Sequence, residues 1–350
     1  MRALPLAFQL LLVLVVLSGY SPCASATPVN VTLRHLPEDA IQPQAVTDSK
    51  GVMHLIYFKG NARAGNLFYM RSSTGRTTTF GPIRINSAAD SAGAIGTVRT
   101  AQLAVGKDDR VHVVWNGLGV KDSYQAYSRL NDAGTAFEPQ RNLITWAKGL
   151  DGGGSVAADK KGDVYVTWHA MANAKDEAGR AVFIAISNDN GKTFAREKQA
   201  NPDPTGACAC CGMRAFVDSN GSLYIVYRAA GESTNRDTML LVSRDKGRTF
   251  QEKLVDKWSI NACPMSTYSL EENSGAILAA WETKGRVYYE KINPDTLDFS
   301  PPESVSGSSQ KHPFLVANTK GQTLLVWTEG ACGRQTALRP HGARCKNAHC

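Results

Sequence analysis

Four cysteines and a methionine, in two short segments, form the most reactive group of side chains in the sequence. They are Cys208, Cys210 and Cys211 in the run Cys-Ala-Cys-Cys, and Cys263 and Met265 in Cys-Pro-Met. Cysteines of an exported protein are expected to form disulfides. Thiolates joined by Met213, Met265 or His169 are also the soft donors that copper or zinc prefers. Both interpretations stay open, with disulfides and no cofactor as the first expectation.

Repeated strands are the elements that must position these side chains. A turn followed by a short apolar strand with an aromatic ending occurs six times, with the endings Tyr57, Trp115, Trp168, Tyr227, Trp281 and Trp327. Periods of about 50 residues indicate propellers or arrays. The strands are rich in Val, Ile, Tyr and Trp, and no long helical stripe of apolar residues competes with them. The sequence therefore predicts an all-β fold, a six-bladed β-propeller.

A second repeat lies in the turns. Ser187–Phe194 and Ser243–Phe250 both read S-x-D-x-G-x-T-F, in which Asp caps the turn, Gly permits a positive φ and Phe packs beneath. This unit resembles the Asp-box of the sialidase-like β-propellers. The positions that match the motif are Asp189, Gly191, Phe194, Asp245, Gly247 and Phe250. The resemblance implies that these are structural turn residues on the face opposite to the ligand.

The resemblance also implies a set of site residues. Sialidases bind the substrate carboxylate with three arginines, and they use a Tyr activated by a Glu as nucleophile and an Asp as acid/base. Arg99, Arg214 and Arg228 are the candidates for the arginine clamp. Tyr268 and Glu271 are the candidate nucleophile pair, and Asp122 or Asp151 is the candidate acid. The opening F/Y-R-I-P motif of true sialidases is absent from the sequence.

The repeat register predicts where the mouth of the channel lies. In the sialidase-like propellers each blade runs from an innermost strand to the aromatic-ending strand, and ligands meet the face where the innermost strands begin. The residues sixteen positions before each aromatic are Ile41, Arg99, Gly152, Cys211, Met265 and Lys311. This ring adds Lys311 to the expected substrate-binding residues.

The two ends of the sequence differ from the repeats. Residues 1–26 carry one basic residue, an apolar run and the ending Ala-Ser-Ala, which predicts a cleaved signal peptide and a secreted or periplasmic protein. Residues 27–330 are the predicted propeller, and no transmembrane segment is expected in the mature chain. Residues 331–350 are an atypical basic tail with cysteines. The last blade is expected to be incomplete, without its third strand, and to be closed by the N-terminal strand Asn30–Arg34.

Charge excludes one class of function. The formal net charge is +8, but Arg2 leaves with the signal peptide and four uncompensated cations lie in the tail, which leaves +3 for the body. A nucleic-acid partner is therefore not expected. The leading hypothesis is a monomeric exported propeller that binds an acidic glycan or glycoconjugate. If it is an enzyme, it would hydrolyse this ligand in the manner of an exo-sialidase. The alternatives are a non-catalytic binding scaffold with disulfide staples and a copper- or zinc-binding propeller.

Overall fold

Nearly all regular structure in this protein is β-strand. The computed structural model describes residues 35–73, 79–94, 101–119, 122–330 and 335–340. The strands of the first sheet are β1 (Ile41–Thr47), β2 (Val52–Asn61), β3 (Ala64–Ser73) and β4 (Thr79–Arg84). Those of the second sheet are β5 (Gln102–Val105), β6 (Val111–Leu118), β7 (Ser123–Arg129) and β8 (Arg141–Asn142). Those of the third sheet are β9 (Ser155–Ala158), β10 (Val164–Ala170), β11 (Ala181–Ser187) and β12 (Lys198–Gln199).

The remaining strands form three further sheets. They are β13 (Arg214–Val217), β14 (Leu223–Arg228), β15 (Thr238–Ser243) and β16 (Gln251–Asp256); β17 (Ser269–Asn273), β18 (Ala276–Thr283), β19 (Arg286–Ile292) and β20 (Glu303–Ser304); and β21 (Gln310–Ala317), β22 (Thr323–Glu329) and β23 (Gln335–Pro340). Two 3₁₀ turns, Lys107–Asp109 and Gly231–Ser233, are the helical elements of the described chain. No helix in that part of the chain is long and apolar enough to cross a bilayer.

Each sheet is an antiparallel meander in chain order, and the sheets are arranged as the blades of a propeller. The first strands of the sheets, β1, β5, β9, β13, β17 and β21, all line one central cavity. In the described residues five sheets have four strands, which gives five complete blades rather than the six expected from the repeats. We call these blades 1 to 5 in chain order, and β21, β22 and β23 form a sixth sheet of three strands.

The sixth sheet corrects the expectation for the end of the chain. The sequence predicts that the third strand is missing, but β23 pairs with β22 from Gln335 to Pro340. This strand lies inside the tail that is predicted to be atypical. The tail can form a strand without the repeated aromatic residue because strands pair through main-chain hydrogen bonds. The proposed closing strand Asn30–Arg34, the signal peptide and Cys332, Cys345 and Cys350 lie outside the described residues.

The repeated aromatic residues hold the sheets together. All six lie on the second strand of their sheet and are buried. Five hydrophobic clusters join the six sheets, one between each consecutive pair. Because successive side chains of a strand point to opposite faces, a strand with sheets on both sides buries both of its faces. This explains why the second strands read as nearly continuous apolar runs.

The two S-x-D-x-G-x-T-F turns use the same hydrogen bonds. Ser187 Oγ donates to Asp189 Oδ1 (2.6 Å), and Thr193 donates from its N (2.9 Å) and its Oγ1 (2.6 Å) to the Asp189 carboxylate. The second turn repeats these contacts around Asp245. Both turns follow the third strand of a blade, whereas the first strand begins at the opposite face. The carboxylates therefore cap turns.

We expect Asp189→Ala to lower the free energy of unfolding at pH 7 by about 2 kcal/mol, because the side chains and backbone of the turn lose three hydrogen bonds. Burial acts to raise the pKa of Asp189, but the hydrogen bonds from Ser187 and Thr193 lower it to about 2. A carboxyl with a lowered pKa stabilises the folded state above the unfolded pKa, near 4, and this contribution disappears as the pH falls towards 2. Urea unfolding at pH 7 and below pH 3 measures both effects.

Asp295→Ala is the matched control for this prediction, because the Asp295 carboxylate is exposed and forms no hydrogen bond or ion pair in the described structure. The control should change stability by less than about 0.5 kcal/mol. Equal losses in the two variants, or a loss at Asp189 that does not shrink in acid, would contradict the capping role.

Long basic side chains on the face of these turns join blade 2 to blade 3, blade 3 to blade 4 and blade 4 to blade 5. Arg141 of blade 2 donates to the carbonyls of Gly191 and Lys192 in the turn of blade 3, at 2.5 Å each. Lys198 of blade 3 donates to the Arg248 carbonyl of blade 4 (2.6 Å). Arg244 donates in turn to the carbonyls of Pro294 and Asp295 in blade 5. Each of these ties joins residues about 50 positions apart in sequence.

Candidate functional site

The central cavity is the first candidate site. It has a volume of about 620 Å³ and its wall is formed by the first strands of all six sheets. Most of the wall is apolar, as expected of strands that also pack against neighbouring blades. The charged groups within it are Arg214 and Glu271 on β13 and β17, and Asp159, Lys160, Lys161, Asp218 and Glu272 at the ends of the strands.

Arg214 begins β13 and is oriented by a small polar network. Its Nη1 donates to Gln102 Oε1 (3.3 Å), Ser155 Oγ donates to the same oxygen (2.6 Å), and Gln102 Nε2 donates to the Met213 carbonyl (3.1 Å). The buried Nε of Arg214 has no acceptor. Among the described residues no carboxylate lies within 4.0 Å of this guanidinium, and burial lowers its pKa. Arg214 is therefore a cation on the channel wall with no ion-pair partner within 4.0 Å among the described residues, although the charge of Glu271 acts on it from a greater distance.

Glu271 faces the same channel from β17. Burial raises the pKa of its carboxyl to about 7, and the charge of Arg214 opposes part of that rise. Glu271 thus changes charge near neutral pH. When Glu271 is protonated, no other described carboxylate is close enough to Arg214 to balance its positive charge.

The arginine clamp implied by the resemblance is not assembled among the described residues. Arg228 is buried between blades 4 and 5, where its Nη1 donates to the Arg236 carbonyl and its Nη2 to the Glu282 carbonyl, both at 2.7 Å. Lys311 Nζ donates to the Pro264 carbonyl (2.6 Å). Arg99 lies outside the described residues. Of the three expected carboxylate-binding residues that the structure describes, Arg214 alone is on the channel wall.

The nucleophile pair is not formed either. Tyr268 is buried in the apolar cluster between blades 4 and 5, and burial raises the pKa of its hydroxyl. Glu271 lies on the channel wall instead. Asp122 is exposed, and Asp151 lies 3.6 Å from Arg180 Nη2. The candidate acid, the nucleophile and its activating carboxylate are thus in different environments.

The second candidate site is a cluster of three sulfurs in the turn before β13. Cys208 Sγ lies 3.1 Å from Cys210 Sγ and 3.7 Å from Cys211 Sγ, and all three sulfurs lie within 4.8 Å of one another. Cys208 and Cys211 are buried. Cys263, which the sequence analysis groups with these three cysteines, is exposed and lies outside the cluster. None of the four forms a disulfide, and Met265 is not among the residues packed on the cluster.

The surroundings of the cluster are rich in charge. Arg236 Nη2 lies 3.1 Å from Glu177 Oε2, and Arg180 Nη1 donates to the Ala207 carbonyl (3.1 Å). Hydrogen bonds from the Cys208 and Cys210 thiols lower the pKa of Cys211, and the charge of Arg228 contributes. His169 is buried with its Nδ1 2.8 Å from the Asp151 carbonyl, and burial lowers its pKa to about 4. The His169 imidazole is therefore uncharged, and the three cysteines lie near positively charged arginine side chains.

Gln102 on β5 and Ser155 on β9 orient Arg214 and lie outside the residues predicted from the sequence. Both stand thirteen positions before the aromatic residue of their blade, as Gln44 and Arg214 also do. Gln44 Oε1 accepts a hydrogen bond from Leu103 N (2.6 Å), and Ser155 Oγ accepts one from Ala215 N (2.9 Å). A register of thirteen, rather than sixteen, picks out these four polar residues in blades 1 to 4, whereas in the last two sheets it falls on Tyr268 and Phe314.

Solved structures with the same fold include carbohydrate-active proteins. A protein of unknown function from Dyadobacter fermentans DSM 18053 is 15% identical, with a TM-score of 0.57 over 86% of this chain and 93% of its own. Trypanosoma rangeli sialidase in complex with the inhibitor DANA is 12% identical, with a TM-score of 0.57 over 86% of this chain and 54% of its own. Polysaccharide lyase Uly1 is 14% identical, with a TM-score of 0.52 over 85% of this chain and 76% of its own.

These similarities have two limits. The chain spans about half the length of the trypanosomal sialidase. No protein-family model matches the sequence, and no curated protein matches it. At 12 to 15% identity the likeness shows a sialidase-like all-β propeller fold and leaves the reaction to be argued from the site.

Proposed function

We propose that the central channel binds a ligand with a carboxylate group, and that an acidic sugar unit of a glycan is the class of ligand. The observation that carries this proposal is Arg214, a cation on the wall of a cavity of about 620 Å³ with no described carboxylate within 4.0 Å. A guanidinium donates two parallel hydrogen bonds to a carboxylate, and burial strengthens such contacts. A cavity of this size is in the range of small-molecule sites.

Carbohydrate is the class to test first because proteins of the same fold include sialidases and a polysaccharide lyase. The proposal is binding and not the exo-sialidase reaction, since Tyr268 is buried away from the channel and Asp122 is exposed. Because the sequence predicts a signal peptide, we propose that this binding takes place outside the cytoplasm. We also propose that the protein binds its ligand as a monomer.

Titration with glucuronic acid, sialic acid and oligosaccharides that contain them, followed by calorimetry, tests the proposal. We expect an acidic sugar to bind and its neutral counterpart, such as glucose for glucuronic acid, to bind at least 30-fold more weakly. Arg214→Gln should remove a charged hydrogen bond of about 2 kcal/mol, roughly 30-fold in affinity. Arg286→Gln, at an exposed position on β19, is the control and should leave affinity unchanged. Equal binding of neutral and acidic sugars would reject the proposal.

The affinity for the acidic ligand should fall as the pH rises through about 7. Below that value Glu271 is protonated and neutral, and above it the ionised carboxylate repels the ligand anion and competes for Arg214. Calorimetric affinities between pH 6 and pH 8 measure the effect. Glu271→Gln should bind equally well across this range, and a variant that keeps the wild-type pH dependence would show that another group is responsible.

A further inference from the structure

The three-cysteine cluster has a backbone that is held independently of its sulfurs. Cys208 N donates to the Arg228 carbonyl (2.8 Å), and Gly212 N donates to the Ser266 carbonyl at the start of blade 5 (2.9 Å). Cys211 N donates back to the Cys208 carbonyl (3.4 Å) and closes the turn. The sulfurs are thus brought together by main-chain contacts with two neighbouring segments, and no bond between sulfurs is needed to keep them there.

The spacing of the sulfurs fits a shared metal ion. Metal–thiolate bonds of about 2.3 Å place two sulfur ligands of a three-coordinate ion about 4.0 Å apart. The separations of 3.1 and 3.7 Å and the limit of 4.8 Å for the whole group bracket that value. Small side-chain rotations would therefore bring all three sulfurs to one ion. Two of the three cysteines are fully buried, which excludes water from most of the site.

Two buried guanidinium groups supply positive charge near the cluster. Arg228 and Arg236 are buried and act electrostatically on Cys211 and Cys208. The Arg236 charge is shared with Glu177, but Arg228 donates only to carbonyl oxygens in the described structure. Three thiolates with a monovalent cation carry a charge of −2, and these guanidinium groups offset it within a buried region.

The number of donors separates two metal ions that prefer sulfur. Structural zinc sites are almost always tetrahedral with four protein ligands. In the described residues the group contains three donors, with no fourth His, Cys, Asp or Glu in the same cluster. His169 is not part of the group, and its Nδ1 lies 2.8 Å from the Asp151 carbonyl, so its Nε2 is the ring nitrogen to test as a fourth donor. Three soft donors without a fourth suit a closed-shell ion that accepts three ligands, as Cu(I) does.

We propose that Cys208, Cys210 and Cys211 bind one Cu(I) ion at the face of the propeller opposite to the Asp189 and Asp245 turns. The site is separate from the channel residues Arg214 and Glu271, so it stands or falls independently of the proposed binding of a carboxylate.

Anaerobic titration of the reduced, metal-free full chain with Cu(I), in competition with a chromogenic Cu(I) chelator, tests the proposal. We expect one equivalent to bind, with X-ray absorption showing three sulfur neighbours and no nitrogen. Cys211→Ala should weaken binding by more than about 100-fold, because outer-shell changes alone cost 10- to 100-fold at metal sites. Cys208→Ala and Cys210→Ala should behave alike. Cys263→Ser, a change at the exposed cysteine, should leave stoichiometry and affinity unchanged.

Other outcomes overturn the proposal. Tighter retention of Zn(II) than of Cu(I) would show that the site binds zinc rather than copper. A nitrogen neighbour that is lost in His169→Gln would show that the site has four donors rather than three. No metal uptake by a folded chain with free thiols would remove the site altogether. A disulfide between Cys208 and Cys210 or Cys211 in protein purified without reductant, which cannot be reduced without unfolding, would make the cluster a staple. Circular dichroism of each alanine variant separates loss of a ligand from loss of the fold.

Discussion

Arg228→Met is expected to lower the free energy of unfolding by about 3 to 5 kcal/mol. The Arg228 side chain is 1% exposed, and its guanidinium donates to two carbonyls in different blades, those of Arg236 and Glu282. The same group lies 4.9 Å from the Trp258 ring centroid and 5.6 Å from that of Tyr268. Methionine fills the space but leaves two buried carbonyls without donors, at about 1 to 3 kcal/mol each, and removes a cation–π contact of about 1 kcal/mol.

Urea or thermal unfolding of the purified variant measures this loss. Arg228→Lys should recover only part of it, because one ammonium at the end of a flexible chain cannot reach both carbonyls with the fork geometry of Arg. Arg286→Met, at an exposed position, is the matched control. A change below about 1 kcal/mol at Arg228 would mean that the two carbonyls find other donors and that this residue does not join blades 4 and 5.

Gly152→Ala is expected to destabilise the fold by more than 3 kcal/mol and to weaken Cu(I) binding at the cysteine cluster. A Cβ at this position would lie 2.1 Å from the Ala209 carbonyl oxygen and 2.6 Å from His169 Cε1. Ala209 lies within the Cys-Ala-Cys-Cys turn, so relief of the clash must move the backbone that carries the sulfurs. The φ of Gly152 is +92°, which adds a conformational cost of about 1 to 2 kcal/mol for any other residue.

Gly275→Ala separates these two causes. Gly275 has a φ of +78°, and a Cβ there would meet no atom within 4 Å. It should therefore show the conformational cost alone, about 1 to 2 kcal/mol, with metal binding unchanged. Equal destabilisation of the two variants, or unaltered Cu(I) affinity in Gly152→Ala, would show that the turn does not depend on its contact with blade 3.

The fold could be predicted from the sequence where the residues that specify it recur in every blade. Each aromatic strand ending marks a buried second strand, and the S-x-D-x-G-x-T-F unit marks a capped turn. The strand Gln335–Pro340 escaped this reasoning because it carries no such residue. Its pairing with β22 depends on main-chain hydrogen bonds, which almost any sequence can provide.

The site was less predictable because side-chain direction decides it. Tyr268 and Glu271 are three positions apart, and an odd separation on an extended chain places two side chains on opposite faces. One therefore enters the core between blades and the other enters the channel. Cys208, Cys210 and Cys211 lie close together because they share one turn. Cys263 depends on the path of a separate loop, which the repeat register does not fix.

The ties formed by Arg141, Lys198 and Arg244 have a consequence for how the chain is made. Each tie reaches a residue about 50 positions later in the sequence. A ribosome that adds about 5 to 20 residues per second takes roughly 3 to 10 s to cover that distance. A newly made blade therefore waits, with its basic side chains unsatisfied and one apolar face uncovered, until its successor emerges. The partly made chain is therefore exposed to aggregation until the next blade covers this face.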